Sequence, residues 1–309
     1  MLKPLVIGGL LFSSLLAHAA PPDALTLRLP DAELTVNRTE YWLPGTTLVD
    51  SDKLHALTER LKKRVYVPPR NAAWNAQRAI VPEANGRGLD EARFLALFYE
   101  RVGGQGQSEL QVPLRELYPR VDSELLQQLS EKVIGQYTTY YNVRNKNRSH
   151  NIALAAEAID NAVIFPGETF SFNGVVGKRT KEKGYLNAPV IVKGELSEGV
   201  GGGICQVSST LFNAVDRAGL KIVQRYSHSR NVTYVQPGRD ATVSWYGPDF
   251  VFENGYDVPV LIRAGAGRGS VYIAVYSAET LVHQARRVPP MTRAIPEEVE
   301  QSRVIQDRL

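Results

Sequence analysis

The chain has 309 residues, of which 43% are hydrophobic and 22% charged, with a formal net charge of +4. That composition describes a globular protein with a real core, excludes a disulfide-stapled miniature because cysteine occurs once, and is too weakly basic to argue for nucleic-acid binding. No Walker loop, HExxH pattern or CxxC pair is present, and the five histidines, at positions 18, 55, 150, 228 and 283, are dispersed, so neither a cofactor nor a preformed metal site is expected.

Residues 1–20 read as an export signal: Lys3 supplies the positive start, Leu5 to Leu16 the apolar core, and Ala17-His18-Ala19 a small-residue cleavage site. The apolar core is too short to span a bilayer, so the mature protein is expected in the periplasm or cell wall without stable membrane insertion. Residues 21–135 alternate short strands and helices and are expected to form a small α+β module with nothing catalytic in it. Its first apolar stretches alternate (Leu25, Leu27, Leu29; Leu34, Val36), and a helix over residues 52–63 is expected from the start chemistry of Asp50, Ser51 and Asp52 and the stripe Leu54, Leu57, Leu61. Pro68-Pro69 marks a turn. The pattern then predicts a strand at 79–81, a turn at 85–88, a helix over 89–102, a loop at 103–108, a strand at 110–114 and a short helix opened by Asp122-Ser123-Glu124.

Residues 136–280 are chemically denser. Ser149 or Asn151 is placed to cap a helix whose apolar face is Ile152, Ala155, Ala156 and Ile159, and Pro166-Gly167 marks the turn before Thr169-Phe170-Ser171-Phe172. Short apolar, β-branched or aromatic runs at 221–226, 232–235, 242–245, 250–252, 258–262 and 271–275, separated by Pro-Gly, Gly-Pro, Asn-Gly and Gly-Arg-Gly turns, predict a predominantly antiparallel sheet packed against two helices. The fold class expected for the chain is therefore α+β. Residues 281–309 form a charged, proline-containing tail to which no function is assigned.

The second of those two helices carries the chemistry. The run Gly199-Val200-Gly201-Gly202-Gly203-Ile204 ends on the single cysteine, Cys205, and behind it Val207, Leu211, Ala214, Val215 and Ala218 recur at helical spacing before Gly219. A thiol near a helix N-terminus meets unpaired N–H groups and the positive end of the helix dipole, which favour the nucleophilic thiolate. Glycines just upstream, Gly202 and Gly203, leave room for backbone donors to a developing oxyanion. A lone cysteine is more often a small core hydrophobe, but in an oxidising compartment it cannot form an intramolecular disulfide, so it is shielded, paired with another chain or kept for reactivity.

The strings Ser149-His150-Asn151-Ile152, Phe165-Pro166-Gly167-Glu168-Thr169-Phe170-Ser171-Phe172-Asn173, Gly201-Gly202-Gly203-Ile204-Cys205-Gln206-Val207-Ser208-Ser209-Thr210, His228-Ser229 and Gly238-Arg239-Asp240-Ala241 closely resemble the VanW family over roughly residues 137–263. Ile80-Val81-Pro82-Glu83 and the helix after it look like the peptidoglycan-binding module that often precedes a VanW domain. The family is named for an accessory protein of vancomycin-resistance clusters. The resemblance implies a cell-wall role and, for some members, L,D-transpeptidase activity through the motif cysteine.

Thiol acyl transfer needs a nucleophile, a base, a group that orients the base, and donors for the oxyanion. Cys205 fills the first role, His228 is the best base, and Asp240 is placed to orient it; His150, which equally suits a capping position, is the rival base. Gln206 and the backbone after Gly203 are candidates for the oxyanion, and Arg230, Lys178 and Arg179 for substrate carboxylates, while Glu168 and Asn173 read as turn residues. The expected partners are peptidoglycan stem peptides, and the oligomeric state is left open. Two rival classes stand beside the transpeptidase: a wall cysteine peptidase or amidase of papain-like or NlpC-like logic, and a non-catalytic wall-binding protein in which the glycine run is a tight loop and Cys205 is core.

Overall fold

The structure, a computed structural model, describes residues 23–103, 108–192 and 195–291. The expected export signal and most of the charged tail lie outside the described residues, as do residues 104–107 of the expected loop at 103–108. Among the described residues no helix is long and apolar enough to cross a membrane.

In chain order the elements are β1 (Ala24–Arg28), β2 (Glu33–Asn37), α1 (Ser51–Val65), β3 (Ala73–Trp74), β4 (Ile80–Val81), β5 (Gly86–Leu89), α2 (Glu91–Gly103), β6 (Glu109–Gln111), β7 (Leu114–Leu117), α3 (Ser123–Gln128) and β8 (Lys132–Tyr140). There follow α4 (Lys146–Ile159), β9 (Val163–Ile164), β10 (Thr169–Ser171), α5 (Phe172–Val176), β11 (Asn187–Val192), β12 (Glu195–Val200), α6 (Ile204–Arg217), β13 (Lys221–Gln224), β14 (Val251–Glu253), β15 (Val260–Gly267) and β16 (Ser270–Ser277). The architecture is α+β, with several antiparallel sheets.

The chain divides into two compact units. The described parts of Met1–Arg70 together with Ala84–Pro119 form the first. Here β1 pairs antiparallel with β2 and parallel with β6, and the alternating Leu25 and Leu27 face a core completed by Leu54, Leu57 and Leu61 of α1 and Phe94 and Phe98 of α2. Asp50 caps α1 by accepting from the N–H groups of Asp52 and Lys53 at 3.1 and 3.2 Å, as its residue type leads one to expect. Where a turn was expected at 85–88 and a helix from 89, residues 86–89 are the strand β5, because Gly86 and Gly88 pair with Leu117 and Arg115 of β7.

The second unit takes in Asn71–Glu83 as well as the described residues from Arg120 onward, so it begins earlier than a boundary at 135 and includes the β3–β4 hairpin with its Ile80-Val81. Its main sheet has the order β8-β16-β15-β9. The strand β8, which the sequence pattern did not separate out, runs straight across residue 135. Val260, Leu261 and Ile262 are all fully buried, which requires cover on both faces of the sheet. Helices α4 and α6 pack on one face with Ile152, Ala155, Ile159, Val207, Leu211 and Val215; Ala72, Leu126 and Leu129 pack with Leu261 on the other. Each fully buried aliphatic chain contributes about 1.5–3 kcal/mol relative to exposure. A second, three-stranded sheet, β10-β14-β13, stacks Phe170 on Phe252 with 5.1 Å between ring centroids.

Two further expectations are corrected. Helix α4 starts a turn earlier than Ser149, because Asn145 is its cap and accepts from Arg148 N–H at 3.1 Å. Residues 232–235 and 242–245 are not strands. Tyr234, Val235, Ala241 and Val243 are buried against the core, so their apolar character reports burial rather than ladder pairing.

Gly135 of β8 shows how closely sheet and helix approach: a Cβ there would overlap the Ala214 carbonyl oxygen and stand 2.6 Å from Ala218 N. Overpacking of this kind costs about 1–3 kcal/mol. Calorimetry of Gly135→Ala is expected to show a melting temperature lower by about 5 °C, at roughly 2–4 °C per kcal/mol. An unchanged melting temperature would contradict the packing of α6 on β8.

Candidate active site

The N-terminus of α6 is built by the glycine run. Gly201 and Gly203 have φ of +87° and +104°, which L side chains rarely adopt, and Gly203 stands at the cap position of the helix. A Cβ on Gly202 would come to 2.6 Å from the Ala188 carbonyl oxygen of β11, and one on Gly203 to 2.9 Å from side-chain carbons of Arg148 and Ile152 on α4. Both bare Cα positions are thus required by close packing of the turn, a reason different from the oxyanion access expected of them. Asn151, fully buried, ties the turn down: its Nδ2 donates to the Leu186 and Gly202 carbonyls at 2.9 and 3.0 Å, and its Oδ1 accepts from Leu186 N–H at 2.8 Å.

Cys205 is the second residue of α6 and is partly buried. Its Sγ lies 3.5 Å from the Val243 carbonyl oxygen and 3.8 Å from Thr242 Oγ1. His228 is the histidine whose charge acts on this thiol. Its Nδ1 meets Asp240 Oδ2 at 2.6 Å, and the His228 backbone N–H donates to the same oxygen at 2.6 Å. The imidazole and carboxylate are both nearly sealed, at 7% and 8% side-chain exposure, so the pair acts with little solvent screening.

The electrostatics follow from that arrangement. Burial pushes the Cys205 thiol up, but His228, together with the Val243 and Thr242 contacts, outweighs it and holds the thiol below its ordinary value. Burial pulls His228 down, and Cys205 and Asp240 together more than restore it, leaving the imidazole above its ordinary value. Asp240 is depressed despite burial, because His228 donates to it twice. A lowered thiol beside a raised imidazole shifts the balance toward a thiolate–imidazolium pair.

What carries His228 and Asp240 to the thiol is an irregular segment, residues 225–250, pinned to the polar side of α6. Ser208 Oγ donates to the Ala241 carbonyl, and Ser209 Oγ accepts from Ala241 N–H at 2.9 Å. Asn213 Nδ2 donates to the Arg239 carbonyl at 2.8 Å, and Arg239 answers with Nε to Asn213 Oδ1 and Nη2 to Asp216. Arg225 Nη1 donates to the Asp240 carbonyl at 2.7 Å. Ser208, Ser209 and Arg239 stand in the family strings but carry no expected role, and Asn213 and Arg225 stand outside them; the signal available is a run of small polar residues, Ser208-Ser209-Thr210 and Asn213, inside an otherwise apolar helix.

The remaining candidates fall elsewhere. Gln206 is fully buried and points away from the thiol: its amide donates to Thr139 Oγ1 and the Tyr140 carbonyl, both at 3.0 Å, and accepts from Arg148. It is an internal strut between α6 and β8, not an oxyanion donor. His150 is exposed on α4 with its ring Nε2 2.9 Å from the Gly184 carbonyl oxygen, which leaves His228 as the histidine beside Cys205. Arg230 is exposed just after His228, and Lys178 lies 5.3 Å from the Tyr246 ring centroid. Glu168 accepts from Phe165 N–H within its turn and pairs with Arg120, whereas Asn173, expected as a turn residue, lies in α5 and donates to the distant Ser244 and Pro248 carbonyls. Among the described residues no group of three or more His, Cys, Asp or Glu is placed to hold a metal ion.

Residues 147–276 match the family model described as VanW like protein, a span that contains Cys205, His228 and Asp240. The chain is 53% identical over 302 residues to the protein of Bacillus subtilis (strain 168) titled "Uncharacterized protein YoaR", covering 97% of this chain and 99% of that one. It is 36% identical over 86 residues to the vancomycin B-type resistance protein VanW of Enterococcus faecalis (strain ATCC 700802 / V583), covering 28% of this chain and 31% of that one. No solved structure matches. With a near full-length relative and a family match over the site itself, the chain belongs to the VanW family.

Proposed function

We propose that this is an exported cell-wall protein that works as a cysteine acyltransferase of L,D-transpeptidase type on peptidoglycan stem peptides. The observation that carries the reading is the Cys205–His228–Asp240 arrangement, in which one imidazole is bonded to a buried carboxylate and acts on the thiol by its charge. Its similarity to a protein named for vancomycin resistance supports the wall as the setting, and the signal-like residues 1–20 support export.

In this reading the Cys205 thiolate attacks the carbonyl that precedes a terminal D-alanine. The Cys205 backbone N–H, in the first turn of α6 where amides have no intrahelical acceptor, faces the developing oxyanion. As the tetrahedral adduct collapses, the imidazolium of His228 gives its proton to the departing amine, D-alanine leaves, and the stem stays behind as a thioester. A side-chain amine of a second stem then attacks the thioester carbon, His228 takes the amine's proton, and the thiolate departs to restore the starting pair. Asp240 holds the ring orientation through both halves. Water in place of the amine gives carboxypeptidase action instead.

Attachment to the wall is assigned to the first unit. It carries a groove of about 1020 Å³ edged by Tyr66 and Tyr118, which are 55% and 71% exposed, and by Arg115 and Glu116. Exposed aromatic faces beside charged groups suit stacking on sugar rings.

Incubation of the purified protein with disaccharide tetrapeptide, followed by mass spectrometry of products and intact protein, tests the reading. A cross-linked dimer with loss of alanine, or a thioester adduct, is expected for the wild type and is absent for Cys205→Ala. Replacement His228→Ala is expected to slow the reaction by about 10²–10⁴-fold, the usual contribution of an acid–base group. Unchanged substrate with the wild type, while it still sediments with whole sacculi, would support a wall-binding protein and overturn the acyltransferase.

A further inference from the structure

We propose that Arg179 is the carboxylate-binding residue of this site, gripping the free terminal carboxylate of the acyl donor beside the scissile carbonyl; the proposal rests on the acyltransferase reading above. The side chain lies along the glycine turn that carries Cys205: a Cβ on Gly201 would stand 3.1 and 3.2 Å from Arg179 Cβ and Cγ. Its guanidinium carbon is 5.8 Å from the Phe172 ring centroid. Both terminal nitrogens, Nη1 and Nη2, are buried and have no hydrogen-bond partner, although the residue as a whole is partly exposed.

A charged fork kept dry and unpaired is costly, and such a cost persists where a ligand offsets it. The protein's own anions do not fill the role. Asp249 is occupied, its carboxylate accepting from Ser171 Oγ at 2.6 Å and from the N–H groups of Asn173 and Phe250 at 2.8 and 2.7 Å. The Arg179 stem lies against Gly201, four residues before Cys205, and Sγ is not one of its hydrogen-bond partners. The fork therefore belongs to the turn that carries the reacting sulfur without bonding the sulfur itself, where a group one residue beyond the scissile carbonyl belongs. Two parallel N–H donors match a carboxylate bidentately, which a lysine cannot reproduce. The consequence is specificity for the last bond of a stem: a donor continuing beyond the next residue, or ending in an amide, leaves the fork unpaired.

The test compares alkylation of Cys205 by iodoacetate and by iodoacetamide. In both, the thiolate displaces iodide and forms one S–C bond; the reagents differ in carrying a carboxylate or a neutral amide. The iodoacetate-to-iodoacetamide rate ratio is expected to exceed that of N-acetylcysteine and to fall about tenfold in Arg179→Gln, the size of one charge-assisted hydrogen bond, with Arg179→Lys in between. A ratio unmoved by Arg179→Gln, or both rates falling together, overturns the proposal and gives Arg179 a structural or thiolate-stabilising role. A thiol inert to both reagents in the native wild type overturns the acyltransferase reading as well. Should Arg179→Gln fail to fold, the wild type answers: N-acetyl-D-alanine is expected to protect Cys205 from iodoacetamide and N-acetyl-D-alanine amide is not. Equal protection by the two, or none by either, overturns the proposal.

Discussion

The site depends on the two-faced character of α6. One side of this helix is apolar and packs on β8 and β16; the other presents Ser208, Ser209, Asn213 and Asp216, and these hold residues 239–241 by backbone hydrogen bonds and the Arg239 ion pair. Each buried bond of this kind contributes about 1 kcal/mol net, while an unmet polar group in the same place costs about 1–3 kcal/mol. Since the helix polar groups and the segment backbone satisfy each other, neither is stable in that position without the other. The same helix therefore delivers the thiol at its first turn and fixes the acid–base pair over its next ones.

The constraint explains why 225–250 is irregular. A ladder strand would have used its backbone N–H and C=O groups on a neighbouring strand, leaving none for α6 to hold. Freed from pairing, the segment turns at Gly238, which has φ of +75°, and brings Asp240 back beneath His228, twelve residues earlier in the chain. The two bonds that Asp240 accepts from His228, one from the backbone and one from the ring, set the position of the imidazole and its orientation together.

Much of this was legible in the residues. The glycine run, the helix behind Cys205 and the pairing of His228 with Asp240 could be read from motif chemistry, because positive-φ glycines and helix periodicity are local properties. Strands at 232–235 and 242–245 were expected and are absent, since β-branched and apolar residues signal burial whether or not a partner strand exists. Gln206 adjoins the nucleophile in sequence, yet one residue along a helix turns a side chain by about 100°, and that rotation sends it into the core. Asn151 illustrates the converse: its type suggested a cap, but its amide reaches Leu186 and Gly202, contacts that only the folded chain defines.

The account's central claim is that His228 keeps Cys205 as a thiolate, and a titration of the thiolate's ultraviolet absorbance in wild type, His228→Ala and Cys205→Ala tests it most directly. Because the thiol is held below and the imidazole above their ordinary values, the Cys205-dependent signal should persist as pH falls below the free-thiol value of about 8.5. In His228→Ala, burial is opposed only by the Val243 carbonyl and the Thr242 hydroxyl, and the transition should move upward. A wild-type thiol that titrates at or above the free value, unmoved by loss of His228, would contradict the account.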